Sequence, residues 1–418
     1  MKVRRFALLP ITAAALLAAA GSAQAFEFHG YVRSGIGWSD KKGGQECFKL
    51  PGIPGNQNFR LGNECETYGE AQFDHTLFDG KDGVKFDYHI MFAYVAGQET
   101  DFENLAQNGN QWALRQNWIE MKNLPALNGG SAWVGKRYYQ RHDVHINDFF
   151  YWDTSGPGAG VEKMKLGTSG MTGSFAIFRS NGNNAFSPGN DPNNNAATRF
   201  DARVHDISLG GMGAIEVGLQ YDTADTKIAN SKSGTALSAE WALPLLGGVN
   251  KLFATVGNGS ANAPFFAFPN NQPGNRDGSW GIQDSFQWQI SPDFSGMAVV
   301  GHWDFKNNGK WDYIGARPVW HITDYFKLQG EVGYNQLKPD GRPTAKLAKI
   351  TIAPTLVAGR GFWARPELRF FYTYAKWNSV ARDGVFGPGN GTIAGGTAGP
   401  FGSSTNGSTY GFQLEAWW

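Results

Sequence analysis

Residues 84–94 alternate without a break: Val84, Phe86, Tyr88, Ile90, Phe92 and Tyr94 fall on one face, Lys85, Asp87, His89, Met91 and Ala93 on the other. Only a strand repeats its side chains with a period of two, and this run is about twice the length of an ordinary strand. Tilted at about 45°, a strand of this length crosses a hydrocarbon core. The pattern also begins near residue 27, where Phe28, Val32, Ile36 and Trp38 oppose Glu27, His29, Tyr31 and Arg33. It closes the chain too, with Tyr410, Phe412, Leu414, Ala416 and Trp418 opposite Thr409, Gln413, Glu415 and Trp417. In a soluble sandwich the apolar faces would share a core and shorter strands would suffice. Long runs with rings near their ends fit a lipid-facing wall better.

Composition agrees. The 418 residues include 56 Gly, are 14% aromatic and only 17% charged, which suggests many strands joined by many turns. A mean hydropathy of −0.38 and the lack of a long apolar run after residue 25 exclude a helical membrane protein. They do not exclude a barrel, in which only alternate residues meet lipid.

Turn chemistry divides the chain. Tight Gly/Asp/Pro turns fall near 79–83, 123–131, 166–173, 209–213, 244–249, 291–295, 321–325 and 357–362. Longer polar stretches lie between them, near 39–64, 97–111, 140–160, 179–198, 222–234, 257–280, 304–311, 335–345 and 378–408. Short and long connections alternate, joining about 18 strands into an all-β, antiparallel transmembrane barrel with both ends on the short-turn side. A barrel of that size leaves an aqueous channel. Residues 26–418 read as one such unit, with Gly384 to Gly407 as one long outer loop.

Residues 1–25 read as a cleaved signal peptide. Lys2, Arg4 and Arg5 precede an Ala/Leu-rich stretch from Phe6 to Ala20, which ends in Ala23-Gln24-Ala25. Its removal turns the formal net charge from +1 to −2, and nothing resembles a nucleic-acid footprint. An exported chain meets an oxidising compartment, so Cys47 and Cys65 are expected to form a disulfide bracing one loop, two free thiols being the alternative.

Several segments resemble the maltoporin family of outer-membrane sugar channels. They are Phe28-His29-Gly30-Tyr31 with Arg33-Ser34-Gly35, Arg60 to Tyr68 (RLGNECETY), and Gly135-Lys136-Arg137. The likeness continues through Tyr139 to His145 (YQRHDVH), Tyr151-Trp152-Asp153, Ser155 to Gly160 (SGPGAG), Trp363-Ala364-Arg365-Pro366, Thr373 to Trp377 (TYAKW) and Trp417-Trp418. The resemblance implies a homotrimer of 18-stranded barrels in the outer membrane of a Gram-negative bacterium. Each would carry maltodextrin-type sugars passively and without a cofactor, among outer-membrane lipids.

Aromatic rings would guide the apolar sugar faces while charged groups exchange hydrogen bonds with the hydroxyls. Position by position, the resemblance places Tyr31, Tyr68, Trp363 and Trp417 on the aromatic path. Phe102, as a ring lent by a neighbouring subunit, and one of Phe265, Phe266 or Phe268 would join them. Arg33, Arg60, Glu70, Arg115, Arg141, Asp143 and Asp148 would form the polar track. Residues 139–160 would be the inward loop that narrows the pore. Phe150 departs from the family there, since the usual constriction tyrosine lacks its hydroxyl, which puts the preferred sugar in question.

Other readings fit less well. His142-Asp143-Val144-His145 is the one dense histidine cluster, but on a strand its imidazoles face opposite ways, a poor metal site. No G-x-S-x-G, H-E-x-x-H or P-loop pattern supports catalysis. A general diffusion porin would show fewer lumen rings than Trp363 and Trp417 supply, and a secreted glycan-binding sandwich would need no long strands.

Overall fold

The computed structural model describes residues 26–53, 59–98, 100–101, 103–105, 109–181, 196–223, 232–261 and 278–418. The expected signal peptide, Phe102, Phe265, Phe266 and Phe268 lie outside them.

The chain rises and falls through β1 (Glu27–Ser39), β2 (Thr67–Asp79), β3 (Lys85–Ala96), β4 (Gln111–Leu124) and β5 (Gly130–Arg137). Two short strands, β6 (His142–Val144) and β7 (Phe149–Trp152), pair only with each other. The wall resumes with β8 (Gly156–Lys165), β9 (Thr172–Asn181), β10 (Ala196–Ser208), β11 (Ala214–Asp222), β12 (Gly234–Leu245) and β13 (Gly248–Gly257). It ends with β14 (Ser279–Ser291), β15 (Phe294–Phe305), β16 (Gly309–His321), β17 (Phe326–Pro339), β18 (Ala345–Val357), β19 (Glu367–Trp377) and β20 (Asn406–Trp417). Apart from β6 and β7 these form one 18-stranded antiparallel sheet. It closes because β1 pairs with both β2 and β20, the latter in the register Tyr31↔Trp417. No helix among the described residues is long and apolar enough to cross a membrane.

Alternation sets the two faces. Phe28, Ile36, Trp38, Phe412 and Trp418 are exposed on the outside, whereas Arg33, Gln413 and Glu415 are buried toward the inside. Rings pair across outer strand ends, Trp38 with Tyr410 and Phe28 with Phe73, as expected of aromatic girdles at a membrane boundary.

The eight short turns fall where the punctuation placed them. Three lengths differ. The connections at 306–308 and 340–344 are tight hairpins, because β15 to β18 continue through polar residues that the composition assigned to loops. The β18–β19 connection is longer, 358–366, because Phe362 and Arg365 turn inward and are buried.

Two long connections fold into the barrel. The 138–155 segment carries the β6–β7 hairpin, and residues 40–53 and 59–66 also run inward, which the sequence did not reveal. Arg60 N donates to Ile146 O at 2.8 Å, joining the two. Together they bury Phe48, Leu50, Phe59, Ile146, Phe149 and Trp152 against Phe253, Trp303, Trp311 and Tyr313 of the wall. Gly315 and Gly333 make this possible: a Cβ on either would lie 2.0 or 2.1 Å from the Phe59 ring. One side of the interior is therefore packed core, while on the other Tyr31, Tyr68 and Trp417 stay partly exposed.

Candidate functional site

That second side is lined by β1, β2, β20 and the 358–366 turn. Strand pairing sets Tyr31 beside Trp417 on one side and Glu70 on the other, and Arg33 beside Tyr68 and Glu415. Four rings result in sequence along the wall. Trp363 and Trp417 lie 6.3 Å apart between centroids, Trp417 and Tyr31 6.4 Å, and Tyr31 and Tyr68 6.0 Å. Trp363 stands at the short-turn mouth and is 46% exposed, so its face is open to the channel.

A carboxylate–guanidinium network holds this run from behind. Arg60 donates to Glu64 (2.7 Å) and Glu415 (2.9 Å) and to the Tyr31 hydroxyl, which itself donates to Glu415 at 3.0 Å. Arg365 and Arg369 each reach Glu415 at 2.7 Å, and Arg365 lies 4.0 Å above the Trp417 ring. Arg33 pairs with Glu64 (3.0 Å), Glu66 and, at 3.7 Å, Asp148, and covers the Tyr68 ring at 5.1 Å. Charges this deep persist only when paired, and each is. Of the residues assigned to the polar track, Arg33, Arg60 and Asp148 thus meet in this network. Arg365, Glu64, Glu66 and Glu415 complete the network and were not singled out, although the alternation had placed Glu415 on the polar face with Trp417.

His145 sits between Arg60 Nη1 (3.3 Å) and Arg365 Nη2 (3.2 Å), edge-on to Trp363 and Trp417. Burial, reinforced by Arg60 and Arg365, holds its pKa well below the usual imidazole range, so it is neutral. A neutral imidazole has a single acceptor nitrogen, so it can accept from only one of its two guanidinium neighbours at a time.

The disulfide Cys47–Cys65 forms. It fixes the residue between Glu64 and Glu66, and so braces the carboxylates that hold Arg33 and Arg60.

A second group crosses to the inward loop. Tyr68 and Tyr138 hydroxyls both donate to Glu70, at 2.6 and 2.8 Å, and Arg115 donates to Tyr138. The Arg141 guanidinium lies between two rings, 3.5 Å from Tyr138 and 4.3 Å from Phe150. Phe150 is the half-exposed member of β7, while Phe149, Tyr151 and Trp152 are buried. Asp143 is its register partner and is exposed to the channel. Tyr138 was overlooked because the resemblance began at Tyr139.

His142 and His145 serve separate contacts. His142 pairs with Glu216 (3.3 Å) and Glu240 (3.0 Å), anchoring the loop to β11 and β12. Among the described residues the one group with metal-ligand spacing is Glu27, His29 and Asp74, near the start of β1 and on β2.

The architecture is similar to solved structures of OpdQ from Pseudomonas aeruginosa (6% identity, 94% of this chain and 99% of that one, TM-score 0.52) and of the outer membrane protein opdK from Pseudomonas aeruginosa (8%, 94% and 100%, 0.50). It is also similar to OccAB4 of Acinetobacter baumannii (6%, 94% and 98%, TM-score 0.50). At such identities the likeness concerns the fold. A family model described as LamB porin matches residues 26–418. With the closed barrel and its partly packed lumen already in view, that match, which spans every strand, makes the chain a member of the LamB porin family and an outer-membrane channel.

Proposed function

We propose that the channel passes sugars by facilitated diffusion, glucose-type oligosaccharides of the maltodextrin series before others. The observation that carries this reading is the run Trp363–Trp417–Tyr31–Tyr68, with neighbouring centroids 6.0–6.4 Å apart and charged groups along its edge. Pyranose C–H faces stack on rings while Arg and carboxylate groups take over the hydroxyls' hydrogen bonds. Several similar weak sites allow a sugar to move on, whereas one tight site would trap it. Arg141 over Phe150 continues the run into the constriction, where the ring offers no hydroxyl to a passing sugar.

In this reading residues 1–25 are removed on export, the mature protein is a homotrimer, and Phe102 and one of Phe265, Phe266 or Phe268 extend the path. Transport is passive and uses no cofactor, in keeping with a fold and family that point to a channel rather than an enzyme.

The test is single-channel conductance in a planar bilayer, titrated with maltose to maltohexaose and, as controls, sucrose and a β-linked oligosaccharide. Three-step closure with block that strengthens as the maltodextrin lengthens is expected. Ion current that no sugar blocks would refute the proposal, and block by the controls alone would reassign the substrate.

A further inference from the structure

On the outer wall, four consecutive strands carry a lysine one residue in from their long-loop end. These are Lys310 in β16, Lys338 in β17, Lys346 in β18 and Lys376 in β19. All four are exposed, on the outward side of the alternation. Lys310 is the register partner of Lys338, while Lys346 faces Gln336 and Lys376 faces Ala348, two residues away from its neighbour's row in each case. At the matching place other strands carry Trp38, Trp112, Tyr221, Val256 and Trp280; Lys136 of β5 also stands there, donating to Leu114 O at 2.6 Å, but its neighbours add no lysine, so among the described residues the cations gather on adjacent strands at β16–β19.

These charges are poorly compensated. Lys310 pairs with Asp304 at 2.8 Å. Among the described residues Lys338, Lys346 and Lys376 make no ion pair. The nearby Asp312 is already bonded by His302 and, at 2.8 Å, by Gln336, and Asp340 stands in the hairpin beyond. Arg342 and Lys306, exposed in the two hairpins, add further positive charge. Like charges gathered without partners repel, unless an anion is shared among them.

Below the lysines the wall is indented. Ala298, Ala316 and Ala348 lie between the bulkier Ile314, Val332 and Tyr334, leaving an open groove of about 570 Å³, with Asp284, bonded by Asn250, at its edge. Ala348 is the register partner of both Tyr334 and Lys376, so groove and cations are contiguous.

We propose that this face binds a phosphate-bearing lipid of the leaflet on the long-loop side, its headgroup on Lys338, Lys346 and Lys376 and one acyl chain in the groove. Lysines at a membrane boundary extend their ammonium groups toward the headgroup layer, where anionic headgroups attract them. A soluble anion would leave the groove unused. A second copy of the chain related by a two-fold axis would bring like cations together.

The experiment places the full-length protein in phosphatidylcholine vesicles with a minor fraction of diphosphorylated lipid A, and in a second arm phosphatidylglycerol. The protein is excised in polymer-bounded discs and the lipid it retains is compared with bulk. Severalfold enrichment of the phosphate-bearing lipid is expected. The triple variant Lys338→Gln/Lys346→Gln/Lys376→Gln should lose it while keeping wild-type ion conductance, the sign that it has folded. Ala348→Trp, which fills the groove, should reduce enrichment with every lysine intact. Equal enrichment in the triple variant would overturn the proposal, as would displacement of the lipid by inorganic phosphate at matched concentration. Dissociation of the oligomer in the triple variant would overturn it as well, reassigning the face to contact between copies.

Discussion

The barrel interior holds two aromatic clusters of similar composition and opposite character. Against β15 and β16, Phe149, Trp303, Trp311 and Tyr313 approach one another to between 4.3 and 6.2 Å and are almost wholly buried. Along β1, β2, β20 and the 358–366 turn, Tyr31, Tyr68, Trp417 and Trp363 are spaced at similar distances but keep exposure to the lumen. What differs is the company. In the first cluster each ring is covered by other rings, so burial of apolar area stabilises the fold. In the second the rings are backed by buried ion pairs, which hold them in place and leave open faces for a ligand. A ring's role in a pore is thus set by what stands behind it.

The largest expected effect tests the packed cluster. Phe149→Ala should destabilise the protein by about 3–5 kcal/mol, the scale for a buried aromatic, and free the 138–155 loop. Denaturant unfolding in detergent would show the loss, and open-channel conductance should rise. If Trp417→Ala cost as much stability, the distinction between the clusters would fail. Instead Trp417→Ala should weaken sugar block by about 1–3 kcal/mol, with ion conductance unchanged or higher. Sugar block equal to wild type in that mutant would remove the open run from the transport path.

Phe150→Tyr sharpens the comparison at the boundary between the clusters. A restored hydroxyl should tighten maltodextrin block by about 0.5–1.5 kcal/mol, read from the concentration that halves the current. No change would mean that Phe150 faces no sugar hydroxyl.

The smallest effect concerns how the packed half is held. Burial alone would lower the His142 pKa, but hydrogen bonds and attraction from Glu216 and Glu240 outweigh it and raise the value. A raised pKa contributes stability that is complete below the unfolded value, about 6.5, and is lost as pH climbs through the folded value. Current noise from the loop should therefore grow on the alkaline side, and His142→Gln should flatten that dependence. Noise in the wild type that ignores pH would show that the imidazole does not anchor the loop.

Much of this was legible in the sequence. A period of two over residues 84–94 leaves only a strand, and the alternation of turn lengths counts the strands to 18. The composition misjudged 306–308 and 340–344 because a strand end at a membrane rim can be as polar as a loop. The ring run was legible from parity and resemblance together, since Tyr31 and Trp417 fall on the polar faces of their strands. The ionic backing was not. Glu64, Arg365 and Glu415 come together from loop, turn and strand, and no local pattern tells a buried carboxylate from a solvated one. The inward course of residues 59–66 was hidden for a similar reason, since it depends on Phe59 finding Gly315 and Gly333 on distant strands.

The pairing of β1 with β20 has a consequence for biogenesis. The hydroxyl of Tyr31 and the carboxylate of Glu415, joined by a hydrogen bond, are 384 positions apart in the chain, and loop-closure entropy makes contacts of that span late ones. The middle of the ring run straddles the seam at which the first and last strands meet. A barrel still unzipped there would hold all eighteen strands but no continuous run of rings, so on the proposed reading competence to pass sugar is acquired in the same step that seals the cylinder.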